Sequence, residues 1–176
     1  ADGLLHINSS PKRNELFDFS IPLLRSEFSL FVQSGNIINI RTIDDLRSKR
    51  VGIEAGGYPS IMLSEYDGVV TEIIYDWKTS FRDLINGDLD AILVDRWMGE
   101  YELAQSRLSG ITIVENPVET QYSRIAVKKG DIETLSLINQ GLKEITEDGT
   151  VDRIMNQWQG KRVIYMTEDD YHTFFL

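Results

Sequence analysis

An aspartate at the end of an apolar strand has the clearest chemical position in this sequence. Asp95 follows the apolar run 91–94 and precedes a helical pattern. In a parallel sheet with helices on both faces, ligands bind at the carboxyl edge of the strands, where this carboxylate is expected. An aspartate between a strand and a helix is also an ordinary N-cap, so two interpretations of Asp95 stay open.

A glycine-rich turn is expected at the same edge of the sheet. Gly56 and Gly57 follow the strand predicted at 50–54, and Tyr58 and Pro59 open the next helix. Backbone N–H groups at a helix N-terminus bind anions with help from the helix dipole. Gly56, Gly57 and Tyr58 are therefore candidate ligand-binding residues, although glycine pairs also occur in ordinary turns.

Metal and catalytic chemistry find little support in the composition. The chain has no cysteine, which excludes disulfides, thiolate metal sites and thiol nucleophiles. The two histidines, His6 and His172, lie at opposite ends of the sequence, which disfavours a histidine metal site or a Ser-His-Asp triad. We predict no metal, no cofactor and no enzymatic activity.

Three aromatic residues offer another kind of ligand contact. Trp77, Trp97 and Tyr122 lie within the central and following segments. Aromatic residues at helical or strand spacing belong to the core more often than to a site, and we expect that of these three.

The charge balance disfavours nucleic acid as a partner. Eighteen basic and 28 acidic residues give the 176-residue chain a formal charge of −10, the opposite of what phosphate binding needs. Hydrophobic residues make up 41% of the chain, which suffices for a core.

Strand and helix patterns alternate through the middle of the chain. Strands are predicted at 37–40, 50–54, 69–75, 90–95 and 111–115; between them lie a short helix opened by Thr42 and helices at 59–66, from Thr79 or Ser80 to Gly87, and at 97–108. This order predicts an α/β lobe with a doubly wound parallel sheet. Outside it, strands are predicted at 3–7 and 27–33, and two amphipathic helices over 132–159.

Two extended segments, 25–34 and 120–129, flank this lobe. They predict that the chain leaves one lobe, builds a second and returns, with two hinge strands. The predicted division is a partial first lobe at 1–33 with 121–160, a second lobe at 34–120, and a C-terminal tail or linker at 161–176.

Motifs along almost the whole chain resemble the family 3 extracellular solute-binding proteins. They are Asp-Gly-Leu-Leu-His-Ile-Asn-Ser-Ser-Pro-Lys-Arg at 2–13, Phe-Asp-Phe-Ser-Ile-Pro at 17–22, Ile-Asp-Asp-Leu at 43–46, Asn-Gly-Asp-Leu-Asp-Ala at 86–91, Ile-Ala-Val-Lys-Lys-Gly-Asp at 125–131 and Glu-Asp-Gly-Thr at 147–150. The resemblance implies a two-lobed, periplasmic-binding-protein-like clamshell that closes on a small polar solute, most often an amino acid. It also implies an incomplete first lobe, because in the family a further strand-helix run precedes the position of Asp2.

The resemblance assigns roles to particular residues. Arg13 matches the arginine whose planar fork clamps the ligand carboxylate, and Ser9 and Ser10 share its turn. Asp95 matches the aspartate that holds the ligand ammonium. Gly57 and Tyr58 stand where members that bind α-amino acids usually carry hydroxyl residues as part of their pocket, so that pocket is only partly kept. The alternative for Arg13 is a surface arginine after a strand.

The resemblance further implies a non-catalytic sensor. The opening motif is more similar to sensor domains of histidine kinases and diguanylate cyclases than to free transport receptors, which implies a periplasmic or extracellular domain joined to membrane-anchored signalling domains. The alternatives are an amino-acid-binding protein that serves an ABC permease, a dehydratase-like enzyme, and a degenerate lobe used for protein contact or as a homodimer.

Overall fold

The computed structural model describes residues 2–159, so the tail predicted at 161–176 lies outside the described residues. The described chain forms two compact units, residues 2–25 with 121–159 and residues 26–120. In chain order the elements are β1 (Gly3–Asn8), α1 (Pro11–Leu16), β2 (Phe17–Phe19), β3 (Leu24–Gln33), a 3-10 helix (Ile43–Leu46), β4 (Arg50–Ile53), α2 (Tyr58–Leu63), β5 (Val70–Ile73), α3 (Trp77–Asn86), β6 (Ala91–Asp95), α4 (Arg96–Ser106), β7 (Ile111–Ile113), β8 (Glu119–Lys128), α5 (Ile132–Glu147) and α6 (Thr150–Gln159).

The unit formed by residues 26–120 is built on a sheet with the strand order β3-β6-β4-β5. Strand β4 pairs in parallel with β5 and with β6. Strand β3 pairs antiparallel with β6 and with β7. The predicted α/β class and doubly wound lobe are confirmed, and the antiparallel β3 makes the sheet a mixed one.

Strand β6 is buried on both faces, which explains its unbroken apolar sequence. Leu93 packs on one face in a cluster that includes Phe28, while Ile92 packs on the other face in a cluster that includes Phe31 and Phe81. Helices on each side of the sheet therefore hold β6 and its last residue, Asp95, in a fixed position.

The strand predicted at 37–40 is wrong, because this segment forms turns. Asn36 and Asn39 adopt positive φ angles of 40° and 52°. The Asn36 side chain donates to the carbonyl oxygen of Ile40 (2.7 Å) and accepts from its N–H (3.0 Å). Asparagine tolerates this conformation, and its side-chain bonds take the place of strand pairing. Ile37 is consequently 85% exposed.

Helix α3 begins earlier than the sequence predicts. Its N-cap is Asp76, not Thr79 or Ser80, and the Asp76 carboxylate accepts the N–H of Thr79 at 2.7 Å. The helix ends as predicted at Gly87, whose φ of 81° favours glycine.

The unit formed by residues 2–25 and 121–159 has a thin core. Strand β8 pairs antiparallel with β1 and with β2. Among the described residues of this unit, the buried hydrophobic side chains are Ala126, Val127 and Leu142, and Leu142 is the one buried residue of α5. Leu5 of β1 is 73% exposed. The predicted incomplete first lobe is confirmed, since apolar surface on β1 and α5 stays uncovered.

A buried hydroxyl in strand β3 gives a first prediction for stability. Ser29 is fully buried, and its Oγ has no hydrogen-bond partner within the described part of the chain. A buried polar group without a partner costs about 1–3 kcal/mol. We therefore expect Ser29→Ala to leave the free energy of unfolding unchanged or to raise it by up to about 1 kcal/mol, as measured by urea denaturation.

Ser20 provides the matched control, since it is equally buried but fully bonded. Its Oγ donates to the carbonyl oxygen of Ile21 (2.7 Å) and accepts from the N–H of Ile125 (2.9 Å). Ser20→Ala should lower the free energy of unfolding by about 1–3 kcal/mol. A comparable loss in Ser29→Ala would show that Ser29 has a partner after all.

Candidate functional site

Asp95 lies at the carboxyl edge of the parallel strands, as the strand pattern predicts. Strands β4 and β6 are neighbours with Ile53 opposite Leu93, so the residues that follow each of these lie at the same edge of the sheet. Asp95 is half-buried and is the N-cap of α4, where its Oδ1 accepts the N–H of Trp97 at 3.0 Å. The N-cap interpretation is confirmed, and the contact of Asp95 with a ligand stays a prediction.

Tyr58 is the first residue of α2, which follows β4, and its hydroxyl is bonded to a carboxylate. The Tyr58 hydroxyl donates to Oε1 of Glu119 at 2.7 Å. Its ring lies 5.1 Å from the ring of Phe28, centroid to centroid. Phe28 is the antiparallel partner of Asp95. Sequence reasoning did not identify Glu119, because its contact with Tyr58 joins positions 61 residues apart.

The glycine turn supports anion binding less well than the sequence suggests. Gly56 has a φ of 68°, which favours glycine. The N–H of Gly57 donates to the carbonyl oxygen of Glu54 at 3.2 Å, so an internal acceptor already uses it. Helix α2 has only six residues, which limits its dipole. Binding of an anion by Gly56 and Gly57 stays a prediction.

The turn that carries Arg13 lies in the other unit. Ser10 is the N-cap of α1, and its Oγ accepts the N–H of Arg13 at 3.3 Å. Nη1 of the half-buried Arg13 donates to the carbonyl oxygen of Asn8 at 2.9 Å. Ser9 is half-buried in the same turn. The turn therefore orients the guanidinium from the backbone of β1.

Asn8 is a second candidate in this turn that sequence reasoning missed. It is 8% exposed, and its Nδ2 has no hydrogen-bond partner among the described residues. A buried donor without an acceptor is costly, and such groups in native proteins usually receive a partner. Asn8 and Arg13 both carry N–H donors of the kind that a carboxylate accepts.

The predicted site residues thus fall into two groups. Ser9, Ser10 and Arg13 share one turn of the unit 2–25 with 121–159. The other group, at one sheet edge of the unit 26–120, comprises Gly56, Gly57, Tyr58 and Asp95.

The core assignment of the three aromatic residues holds for only one of them. Trp77 packs against Phe81 with ring centroids 5.8 Å apart, as predicted. Trp97 is 37% exposed and Tyr122 is 49% exposed, so their assignment to the core is wrong. Trp97 lies in α4, whose buried residues lie on the opposite face, and Tyr122 lies in β8, where the adjacent position is buried. The spacing of aromatic residues in the sequence does not reveal which face is buried.

Shifted pKa values reflect turns and caps of the fold. The hydrogen bond from Lys129 (2.7 Å) and the N–H of Gly130 hold the pKa of Asp18 below its ordinary value. The bonds from Thr79 at the start of α3 likewise lower the pKa of Asp76. Stabilised carboxylates of this kind indicate local structure rather than acid-base chemistry.

A cavity of about 670 Å³ lies in the unit 26–120 and is lined by none of the predicted site residues. In the described part of the chain, no group of three or more histidine, aspartate or glutamate residues is arranged to hold a metal ion.

Within residues 2–159 there is no helix with the length and apolar character needed to cross a membrane.

The family model of the bacterial extracellular solute-binding proteins, family 3, matches residues 3–161. This chain belongs to that family. As a family 3 protein it is 31% identical over 158 residues to the L-cystine-binding protein TcyJ of Escherichia coli (strain K12), covering 89% of this chain and 59% of TcyJ. It is 26% identical to the ABC transporter arginine-binding protein 1 of the same organism, covering 85% of this chain and 62% of that protein.

Solved structures agree with the family assignment. A histidine kinase sensor domain with similarity to periplasmic binding proteins superposes with a TM-score of 0.82 at 25% identity, covering 91% of this chain and 70% of that one. An ancestral arginine-binding protein bound to arginine superposes with a TM-score of 0.76 at 28% identity, covering 86% and 68%. The family 3 chain described here spans about 60% of the length of the curated relatives it matches.

Proposed function

We propose that this chain binds a small amino-acid-like solute in the periplasm or outside the cell, without converting it, and passes the binding event to a membrane partner. The family match across residues 3–161 is the observation that supports this most. The relatives named above are binding proteins, which favours binding over catalysis.

The two groups of candidate residues suit the two charges of an amino acid. Arg13 offers a planar fork for the carboxylate, and Nδ2 of Asn8 would gain the acceptor that it lacks within the described residues. Asp95 offers an anionic partner to the ammonium from the N-terminus of α4. In this proposal Arg13 recognises the carboxylate of the solute and Asp95 recognises its ammonium, and solute binding is the signal.

Of the two roles proposed for this binding domain, the sensor of a membrane signalling receptor is our first choice. The likeness to a histidine kinase sensor domain supports it. The second candidate, a receptor that delivers its solute to an ABC permease, is supported by the arginine-binding relatives. The reading frame around these 176 residues distinguishes the two roles. Adjoining membrane-spanning and kinase segments would favour the sensor, and their absence would favour the transport receptor.

A thermal-shift screen of the 176-residue chain tests the binding proposal. We expect at least one L-amino acid to raise the melting temperature. A solute whose free concentration is ~100 times its Kd adds about 2.7 kcal/mol to the free energy of unfolding. Mass spectrometry of the recovered solute should show it unchanged. No shift with any amino acid in the screen, together with flat calorimetric titrations, would contradict the proposal, and a chemically altered solute would indicate an enzyme.

A further inference from the structure

The exposed side of helix α4 is largely apolar and carries no charge. Its exposed residues are Trp97, Met98, Tyr101 and Gln105. The charged residues of α4 are instead half-buried; they are Arg96, Glu100 and Glu102. Helix α3 of the same unit shows the usual pattern, and its exposed residues are Lys78, Thr79, Arg82 and Asn86. Because a surface helix normally turns its charged residues to solvent, the exposed side of α4 resembles a surface that a partner covers.

The four exposed residues of α4 form one continuous surface. Trp97, Tyr101 and Gln105 are spaced by four residues, so they lie one above another on the same helix face, and Met98 lies beside them. Tyr101 is 58% exposed. Tryptophan, tyrosine and methionine are enriched in protein interfaces, whose centres are depleted of charge. Trp97, Met98, Tyr101 and Gln105 together are named the α4 stripe.

A cavity of about 240 Å³ adjoins the C-terminal end of the α4 stripe, since Gln105 lines it. Its aromatic lining residues are Trp77 and Tyr75, and Tyr75 is 93% exposed. Glu102 also lines the cavity, is half-buried, and makes no hydrogen bond or ion pair with other described residues. Aromatic faces attract cations, and a carboxylate binds them through charge-assisted hydrogen bonds. The cavity therefore suits a lysine or arginine side chain.

The charge of this unit decides which partner fits the surface. Two carboxylates, Asp76 and Glu102, line the cavity together with the cation of Lys78. Residues 26–120 carry eight basic and sixteen acidic side chains, a formal charge of −8. A second copy of the chain brings the same excess of negative charge to the surface, whereas a basic partner is attracted to it. Charge complementarity thus favours a partner whose apolar residues are bordered by lysine or arginine.

We infer that the α4 stripe and the adjoining cavity are a docking surface for a partner protein that presents an amphipathic helix with basic residues beside its apolar face. In this arrangement the apolar side chains of the partner pack on Tyr101 and the rest of the stripe, as amphipathic helices do on apolar surfaces. One lysine or arginine of the partner enters the cavity beside Glu102. The interaction goes beyond the proposed solute binding and does not depend on which solute is bound.

Two synthetic peptides test this surface by calorimetric titration against the 176-residue chain. Each has about 18 residues, long enough for a helix, with leucine on one face. The other face carries lysine in the first peptide and glutamate in the second. We expect the lysine peptide to bind at least about tenfold more tightly than the glutamate peptide, because only its charge is complementary to the surface.

Variants with matched controls locate the binding. Tyr101→Ala should weaken binding of the lysine peptide at least about tenfold, since truncating a central aromatic residue of an interface is costly. Tyr66→Ala changes an exposed tyrosine outside the stripe and should leave the affinity unchanged. Glu102→Gln should reduce the preference for the lysine peptide, and Glu65→Gln, at an exposed carboxylate, should not. Melting temperatures verify folding, and Met98→Ala replaces Tyr101→Ala if the latter unfolds.

The outcomes separate this inference from its rivals and from the proposed function. Equal affinity for the two peptides, or binding of the lysine peptide that Tyr101→Ala does not weaken, overturns the inference. A dimer mass of the free chain in light scattering that reverts to the monomer mass in Tyr101→Ala would assign the α4 stripe to a second copy, and also overturns it. Failure of the thermal-shift screen with amino acids overturns the proposed function and leaves this inference standing.

Discussion

Asp95→Asn and Arg13→Ala should each weaken amino-acid binding by about 30-fold or more, as measured by isothermal titration calorimetry. Removing one partner of a desolvated, hydrogen-bonded charge pair costs about 2–5 kcal/mol, and each 1.4 kcal/mol is about tenfold in Kd. Asparagine serves at Asp95 because it caps a helix as well as aspartate does. The Asp95→Asn variant therefore keeps the bond to the N–H of Trp97 and removes the negative charge.

Matched controls separate solute contact from folding. Asp76 is also an N-cap aspartate in the same unit, and Asp76→Asn should leave the affinity unchanged. Lys12 is the exposed neighbour of Arg13, and Lys12→Ala should also leave the affinity unchanged. Arg13→Lys keeps the charge without the fork and should give an intermediate affinity. Wild-type affinity in Asp95→Asn would remove Asp95 from the site and leave it as a cap only.

Local sequence patterns located the elements that carry Asp95 well. The apolar run 91–94 predicts a strand buried on both faces, and Leu93 and Ile92 do pack into opposite core clusters. The position of a residue after such a strand follows directly from topology, since the carboxyl ends of parallel strands share one edge. The position of Asp95 at the sheet edge could therefore be predicted from the sequence without knowing which residues surround it.

The elements that sequence reasoning missed depend on side-chain bonds to the backbone. The isoleucines of the segment 37–40 have strand propensity, yet Asn36 closes the segment into turns by bonding both backbone groups of Ile40. At the start of α3, Asp76, Thr79 and Ser80 are all acceptable caps, and the fold selects Asp76. Propensity alone does not choose among residues that are locally equivalent.

The parts of the candidate site that escaped prediction depend on long-range packing. Glu119 is a site candidate only because the Tyr58 hydroxyl bonds to it. That contact requires the start of β8 to be aligned with β3, where the N–H of Val118 bonds to Phe28, and with the helix that follows β4. Asn8 becomes relevant only because it is buried without a partner for Nδ2 among the described residues. Neither property has a sequence signature, since acidic residues and asparagines occur at many other positions.

Gly99, in the first half of α4, is expected to be the glycine most sensitive to an added methyl group. A Cβ at Gly99 would lie 2.4 Å from Cζ of Phe31 and 2.7 Å from Cγ1 of Val94, distances that Cβ atoms do not tolerate. Overpacking of a core costs about 1–3 kcal/mol. We expect Gly99→Ala to lower the melting temperature by about 2–12 °C, at about 2–4 °C per kcal/mol for a chain of this size.

Gly141 is the matched control, because it also lies inside a helix, α5, but an added Cβ would meet no heavy atom within 4 Å. Gly141→Ala should raise stability by up to about 1 kcal/mol through helix propensity alone. Combining Gly99→Ala with Phe31→Leu removes the ring atoms that clash, leaves the contact with Cγ1 of Val94, and should destabilise by less than the sum of the two single changes. Simple additivity would mean that α4 shifts away from the sheet instead. Such a shift would move Asp95 at the start of the helix, and Gly99→Ala would then weaken solute binding as well as stability.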